Sequence, residues 1–318
     1  MLSRVADSCF WLSRYIERAE TCARILDVNM QLVLDFEDQN GGGGGQWLPI
    51  LATLQDRELF ETLHPEATAD AVLDFVTFEK TNPNSILSSI TFARENARTV
   101  REQISSEMWE ELNRQFLYLQ GAAARAAFRE SPIGFYRSVV NSLHSFQGVT
   151  DATMTHGEGW QFLQAGKYIE RADSTSRVLD FKYHVLLPSG EQVGGNVDIT
   201  QWMAVLRSCS AMEAYFKVFH GRVTAWDVAA FLVLHDSFPR SIRFCVDALD
   251  LALHSISGTD RGHFANEAER LSGMLRSNLD FTTVDQIFQA GLHQYLDQTQ
   301  VRLGAIADAL SEAYCRWL

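Results

Sequence analysis

Residues 5–33 read VADSCFWLSRYIERAETCARILDVNMQLV, and this stretch decides the fold class. Apolar or small side chains recur along it in alternating steps of four and three residues, at Val5, Cys9, Leu12, Ile16, Ala19, Ala23, Leu26, Met30 and Val33. Such steps keep these side chains on one face of a helix for about four heptads. The pattern predicts one long helix over roughly residues 2–37.

Helical signals continue through the rest of the chain. Thr68 and Thr224 each precede an apolar stretch and are suited to cap the helices that follow. No segment alternates strictly between apolar and polar residues, as a half-buried strand would. The sequence therefore predicts an all-α protein, with surface loops at Asn40–Gly45, which contains five consecutive glycines, and at Pro188–Gly195.

Charge and hydropathy exclude several classes of partner. The 318 residues include 40 acidic and 27 basic ones, which gives a formal net charge of −13. Nucleic acid and anionic membranes are therefore poor partners. The N-terminal segment is charged from Arg4 onward, unlike a secretion signal. The longest apolar run, Val228–Leu234, is far shorter than a bilayer span, so we predict a cytoplasmic protein.

No motif in the sequence indicates a metal or a cofactor. The five cysteines are scattered, without zinc-binding spacing, and we interpret them as core residues in a reducing compartment. Glu61 and His64 have the spacing of one half of a di-iron site, but no second pair accompanies them. A phosphate-binding loop and a glycine-rich nucleotide fingerprint are also missing. We predict that neither a metal nor a cofactor binds.

The chain repeats itself. YIERAETCARILD at residues 15–27 recurs as YIERADSTSRVLD at 168–180, with 8 of 13 positions identical at a spacing of 153. Trp47 then matches Trp202 at a spacing of 155, and Pro83 matches Pro239 at 156. Three matches in one order predict a tandem duplication. The two repeats, 1–155 and 156–318, are expected to pack about a pseudo-two-fold axis as one helical bundle.

Each repeat carries charged residues beside its helical seam. The first charged row consists of Glu17, Glu20, Arg24 and Asp27. The second charged row, on the other copy, consists of Glu170, Asp173, Arg177 and Asp180. The opposite flank of each helix bears a Tyr-Arg pair, Tyr15 with Arg18 and Tyr168 with Arg171.

Two interpretations of these residues are open. In the first, they form partly buried ion pairs that hold the long helices to the bundle, since breaking such a pair costs about 3–5 kcal/mol. In the second, they form the wall of a polar cleft. Glu17 and Glu170 are then the candidate catalytic groups, and Arg18 and Arg171 are candidates to bind an anion.

A second group of arginines occurs in one repeat only. Arg94, Arg98 and Arg101 follow one another at four-three spacing, which places three guanidinium groups along one helix face. At a spacing of 156, Asp250 and His254 stand at the positions of the first two. This arginine stripe predicts either an anion-binding site for substrate or ion pairs with the first charged row.

The repeated YIERA motif makes the chain resemble the bacterial Alpha-E family, which is named for an α-helical domain with a Glu-Arg motif. The opening MLSRVADSCFWLSRYIERAE and the segments ARENAR at 93–98, KYIERAD at 167–173 and PRSIRFC at 239–245 carry this resemblance over nearly the whole chain. Members are typically encoded beside a circularly permuted ATP-grasp protein and a transglutaminase-like protein. ATP-grasp enzymes activate carboxylates for amide formation, so the resemblance implies a setting of peptide or amide synthesis.

Three functions follow from this reading. The leading hypothesis is a helical subunit that presents a charged Glu/Arg cleft to a peptide substrate or to an ATP-grasp-type partner, with a transglutaminase-like protein as a second candidate partner. The first alternative is an enzyme in its own right that acts on an anionic or peptide substrate through its Glu and Arg residues. The second alternative is a structural scaffold for assembly.

Overall fold

The computed structural model describes residues 1–40, 47–184 and 193–315. These residues form sixteen α-helices and a terminal π-helix, Ser311–Cys315, and contain no strand beyond one isolated bridge between Arg261 and His263. The all-α prediction is confirmed. Of the predicted loops, residues 41–45 and 188–192 lie outside the described residues, whereas Asn40 ends the first helix and residues 193–195 form a turn.

The chain divides into two compact units, residues 1–166 and 167–318. Unit 1 contains α1 (Ser3–Asn40), α2 (Trp47–Thr53), α3 (Arg57–Leu63), α4 (Ala69–Phe78), α5 (Ile86–Thr99), α6 (Ser106–Gln120), α7 (Ala122–Glu130) and α8 (Pro132–Thr153). The boundary falls inside α9 (Glu158–His184). Unit 2 continues with α10 (Asn196–Ser208), α11 (Met212–Val218), α12 (Ala225–Leu234), α13 (Ile242–Ser257), α14 (Glu267–Phe281), α15 (Val284–Ala290) and α16 (Leu292–Leu310).

The long first helix forms as its periodicity predicts. Within α1, Cys9, Leu12, Ile16, Ala19 and Leu26 are all buried. The helix packs mainly against α5 and α8, and α6 packs against both of those helices. The core of unit 1 therefore lies between α1, α5, α6 and α8.

In unit 2 the main packing joins α13, α14 and α16. The buried face of α13 includes Val246, Leu249 and Leu253, and α14 contributes Leu275 and Leu279. Short helices α12 and α15 pack beside this group. These three long helices position the cavity described below.

Side-chain caps begin several of the helices. Thr68 accepts a hydrogen bond from the backbone N–H of Ala71, and Thr224 accepts one from that of Asp227, so both predicted caps are confirmed. Ser85 and Ser241 cap α5 and α13 in the same way. Within the described residues, no helix is both long enough and apolar enough to cross a bilayer.

Candidate functional site

The first charged row is buried against α8. Only 1 % of Glu17 is exposed, and its Oε1 accepts a hydrogen bond of 2.6 Å from Nε2 of Gln147. Glu20 is also buried, forms an ion pair with Arg24, and lies 2.9 Å from Nε2 of His144. The two glutamates therefore face partners on a neighbouring helix.

Asp27 continues the row toward the end of α1. Its Oδ1 accepts a hydrogen bond from Gln31, and its Oδ2 lies 3.6 Å from Nε of Arg137 on α8. The three α8 partners, Arg137, His144 and Gln147, are separated by seven and three residues, which places them on one face of that helix. Sequence analysis missed them, although this spacing was a usable signal.

The Tyr15–Arg18 flank belongs to a different network. The Arg18 guanidinium lies 5.6 Å from the centre of the Tyr15 ring and donates a hydrogen bond of 3.0 Å to Oδ1 of Asn84. Asn84 in turn donates to Oδ1 of Asp56, and Asn82 donates to Oδ2 of the same carboxylate, at 2.8 and 3.0 Å. We call Asp56, Asn82 and Asn84 the asparagine corner.

Asp56 is buried at the start of α3, and no sequence signal singled it out. Burial raises the pKa of its carboxyl above the ordinary 3.8. Hydrogen bonds from Asn84 and Asn82 and the charge of Arg18 oppose this rise in pKa. The corner therefore holds a desolvated carboxylate between two amides beside a guanidinium.

The second charged row makes contacts of its own. Arg177 binds Asp173 with two hydrogen bonds, at 2.7 and 3.0 Å, and Asp180 lies 2.8 Å from Nδ1 of His293 on α16. Glu170 is 4 % exposed. The burial of both Glu17 and Glu170 favours the ion-pair interpretation of the rows over an open cleft.

Arg171 is also buried, and it differs from Arg18 in its partner. Its guanidinium lies 5.7 Å from the centre of the Tyr168 ring and donates to the backbone carbonyl of Pro239 at 3.3 Å. Arg18 instead donates to the side chain of Asn84. The asparagine corner is thus a feature of unit 1 among the contacts described here.

The arginine stripe turns toward α6 rather than toward α1. Arg94 donates to Asn113 and Glu95, each at 2.8 Å, and its guanidinium lies 4.5 Å from the centre of the Phe116 ring. Arg98 is paired with Glu95 at 2.6 Å and its side chain is 67 % exposed. Arg101 lies over Trp109.

Of the two alternatives for this stripe, ion pairs with the first charged row are therefore wrong. None of its three arginines contacts the row within the described part of the chain. The physical reason is the aromatic face of α6, which accepts Arg94 and Arg101 through cation–π contacts. An anion-binding role for the stripe stays a prediction.

Unit 2 contains a cavity of about 760 Å³ between α13, α14, α16 and the connection at 258–266. Pockets of this size commonly hold small ligands. Asp250 and His254, which sequence analysis identified as the replacements of Arg94 and Arg98, both line it. Glu269 completes the buried part of the lining. We call this space the Asp250 cavity.

Asp250 is completely buried and lies at ion-pair distance from two guanidinium groups. Its Oδ1 accepts a hydrogen bond of 2.8 Å from Ser272. Its Oδ2 lies 3.1 Å from Nε of Arg276 and 3.3 Å from Nε of Arg261, which are ion-pair distances. Neither contact has hydrogen-bond geometry, so Oδ2 has no hydrogen-bond donor.

Glu269 has a structural role. Its Oε2 accepts from the backbone N–H of Ala265 and its Oε1 from the side-chain amide of Asn266, both at 2.7 Å. Asn266 caps α14 in return, by accepting from the backbone N–H of Glu269.

His254 Nδ1 lies 3.0 Å from the carbonyl oxygen of Thr259, and its Nε2 lies 3.6 Å from Oδ1 of Asp250.

No group of three or more metal-ligating side chains is assembled within the described residues. Glu61 pairs with Arg57, and His64 stacks on Phe60. The Glu61–His64 spacing therefore serves local contacts.

The fold is all-helical, and each of its two long helices, α1 and α9, carries a Glu-Arg motif whose glutamate is buried. These features define the class of protein. The chain belongs to the Alpha-E family, described as a predicted alpha-helical domain with a conserved ER motif, whose family model matches residues 1–315. Glu17–Arg18 and Glu170–Arg171 are the two Glu-Arg dipeptides of the repeated motif.

Similar proteins occur in mycobacteria. An uncharacterized protein of Mycobacterium bovis is 22% identical to this chain over 331 residues, which cover 97% of this chain and 36% of that protein. Uncharacterized proteins from two strains of Mycobacterium tuberculosis show the same identity and coverage. The chain thus spans about a third of the length of the curated relatives it matches. No solved structure matches it.

Proposed function

We propose that this chain is the helical partner subunit of an ATP-grasp-type amide or peptide ligase system, and that it presents charged residues to a peptide substrate or to the ligase. The observation that carries the proposal is the length of the relatives. In those proteins, a region similar to this chain occupies 36% of a longer polypeptide. The module is therefore joined there to further protein, as expected for a unit that works beside another.

The burial of the charged rows supports a partner role over catalysis by the candidate glutamates. A general acid or base must reach the proton that it transfers. Glu17 is occupied by Gln147, and both it and Glu170 are buried. These contacts are typical of side chains that hold helices together and not of side chains that contact a substrate.

The test is an amide-ligation assay with the ATP-grasp-type protein of the same host. We expect the two proteins to co-purify, and we expect ATP-dependent amide formation on a peptide to fall at least tenfold when this chain is left out. Equal ligation rates with and without the chain, together with no co-purification, would contradict the proposal.

The same assay addresses both alternatives. Turnover of a peptide by this chain alone would favour the independent enzyme. Co-purification without any effect on the ligation rate would favour the scaffold.

A further inference from the structure

We propose that the Asp250 cavity binds the carboxylate end of a peptide whose last residue is apolar. The choice of a peptide rests on the proposed function, whereas the requirement for a carboxylate rests on the cavity alone.

The lining of the cavity has an excess of positive charge in an acidic protein. Arg270, Arg276 and Arg302 line it, against the two carboxylates Asp250 and Glu269. The whole chain has a formal net charge of −13. Arg270 and Arg276 also pair with Glu267 and Asp280 outside the lining, so Arg302 is the charge that attracts an anion.

Arg302 is the guanidinium that is available to a ligand. It is exposed on α16, and its Nη1 donates to Oδ1 of Asn278 at 3.1 Å. Within the described part of the chain, no carboxylate lies at ion-pair distance from it. By contrast, Arg270 is held by two hydrogen bonds to Glu267. A ligand carboxylate can pair with Arg302 in bidentate geometry.

The rim of the cavity is apolar and exposed. Phe264 and Met274 line it, with 60 % and 58 % of their surfaces accessible. Large apolar side chains left exposed at the mouth of a pocket indicate contact with an apolar part of a ligand. Thioether and aromatic side chains adapt to differently shaped apolar groups. The rim therefore fits the apolar side chain beside the carboxylate.

The buried end of the cavity offers an acceptor. Oδ2 of Asp250 is fully buried at ion-pair distance from Arg276 and Arg261, but neither guanidinium is aligned to donate a hydrogen bond to it. A buried acceptor of this kind is costly unless a ligand or water satisfies it. The backbone N–H of a peptide is a donor of the required type. Inorganic phosphate supplies neither that N–H nor an apolar group.

Gly273 keeps the space above Asp250 open. It lies inside α14, where glycine is less stable than alanine by about 0.5–1 kcal/mol. A Cβ built there would contact only Oδ1 of Asp250, at 3.8 Å. A side chain at this position therefore begins in open space beside Asp250, in the wall of the cavity. This makes Gly273→Leu a variant that fills the proposed site.

The experiment is calorimetric titration of the full chain with N-acetyl-Ala-Ala-Leu and with the same peptide carrying a C-terminal amide. We expect the free carboxylate to bind at least tenfold more tightly than the amide. Gly273→Leu and Arg302→Gln should each weaken binding of the carboxylate peptide at least tenfold. If Gly273→Leu fails to fold, the binding affinity of Arg302→Gln alone tests the proposal.

Two matched variants serve as controls. Gly148→Leu places the same side chain at an open, exposed glycine inside a helix, α8, and Arg114→Gln removes an exposed guanidinium that belongs to no candidate site. Both should bind the peptide as the parent does.

Three results would overturn the inference. The first is a parent protein that binds neither peptide, or binds both equally. The second is unchanged binding by Arg302→Gln. The third is displacement of the peptide by inorganic phosphate at a lower concentration than by free N-acetyl-leucine. Because no ligase is present, a failure here is separate from a failure of the ligation assay.

Discussion

At the residue scale, one missing methyl group sets how closely α9 approaches α1. A Cβ at Gly166 would clash with the backbone carbonyl oxygen of Phe10, well inside the van der Waals contact distance of the two atoms. That neighbour is backbone and cannot rotate away. The start of α9 can therefore lie against α1 only with glycine at this position.

Gly166→Ala is expected to lower the free energy of unfolding by about 3 kcal/mol, because the helices must separate to admit the methyl group. Gly148→Ala is the matched control, since nothing lies within 4 Å of a Cβ at that helical position. It should leave stability unchanged or raise it by about 1 kcal/mol. Urea denaturation measures the free energy of unfolding of both variants. Equal stability of the two would contradict the close approach.

The buried glutamates give a second prediction at this scale. Glu17→Ala and Glu170→Ala should each lower the free energy of unfolding by about 3–5 kcal/mol, because each removes a buried charged side chain that neighbouring groups hold in place. Glu102→Ala, at an exposed turn, should change it by less than about 0.5 kcal/mol. Thermal denaturation compares the three. Unchanged melting temperatures in both buried-site variants would defeat the ion-pair interpretation.

At the element scale, the asparagine corner ties the start of α3 and the residues before α5 to α1. Asp56 precedes α3, Asn82 and Asn84 precede α5, and Arg18 lies in the middle of α1. Their hydrogen bonds span sequence separations of 26 to 66 residues. One buried carboxylate thus positions three elements, and its protonation affects their packing.

The raised pKa of Asp56 predicts a pH dependence of stability. The folded protein holds this proton more tightly than the unfolded chain does, so the contribution is present below the ordinary pKa of 3.8 and is lost as pH rises through the raised value. Relative to Asp56→Asn, the parent should therefore gain stability when pH falls from neutral toward 4. Urea unfolding of both proteins across this range measures the gain.

Gln103→Ala, at an exposed turn, is the control for that titration, because neither side chain titrates. The stability difference between the parent and this variant should stay constant over the same pH range. A constant difference for Asp56→Asn as well would show that burial does not raise the pKa of Asp56.

At the scale of the whole molecule, the repeated sequence predicts that the two units share one helical plan. The matched residues occupy similar places: Trp47 begins α2 and Trp202 lies in α10, while Ser85 and Ser241 cap α5 and α13. In both units a long helix precedes these elements.

Superposition of the two units in an experimental structure is the measurement for the duplication. We expect it to bring Glu17 onto Glu170, Trp47 onto Trp202 and Pro83 onto Pro239, since a duplicated core keeps its packing. Pairs that fall in unrelated helices, or a different order of helices in the two units, would contradict the duplication.

Local sequence patterns were enough to predict the long first helix and the charged motif. Steps of four and three residues indicate a buried helical face directly, so α1 could be predicted from the seam to which Cys9, Leu12 and Ile16 belong. The threonine caps are equally local, because the hydroxyl of Thr68 reaches an N–H three residues away. Such signals need no knowledge of the rest of the chain.

The residues that pack against each helix face depend on the tertiary structure. Periodicity shows that Glu17 and Arg94 lie beside helical seams, but the partners are Gln147 and Asn113, on other helices. The Asp250 cavity likewise depends on three helices that meet around a glycine. The helical repeat of 3.6 residues fixes the direction in which each side chain leaves its own helix. The residue that it contacts in that direction is set by the packing of all the helices together.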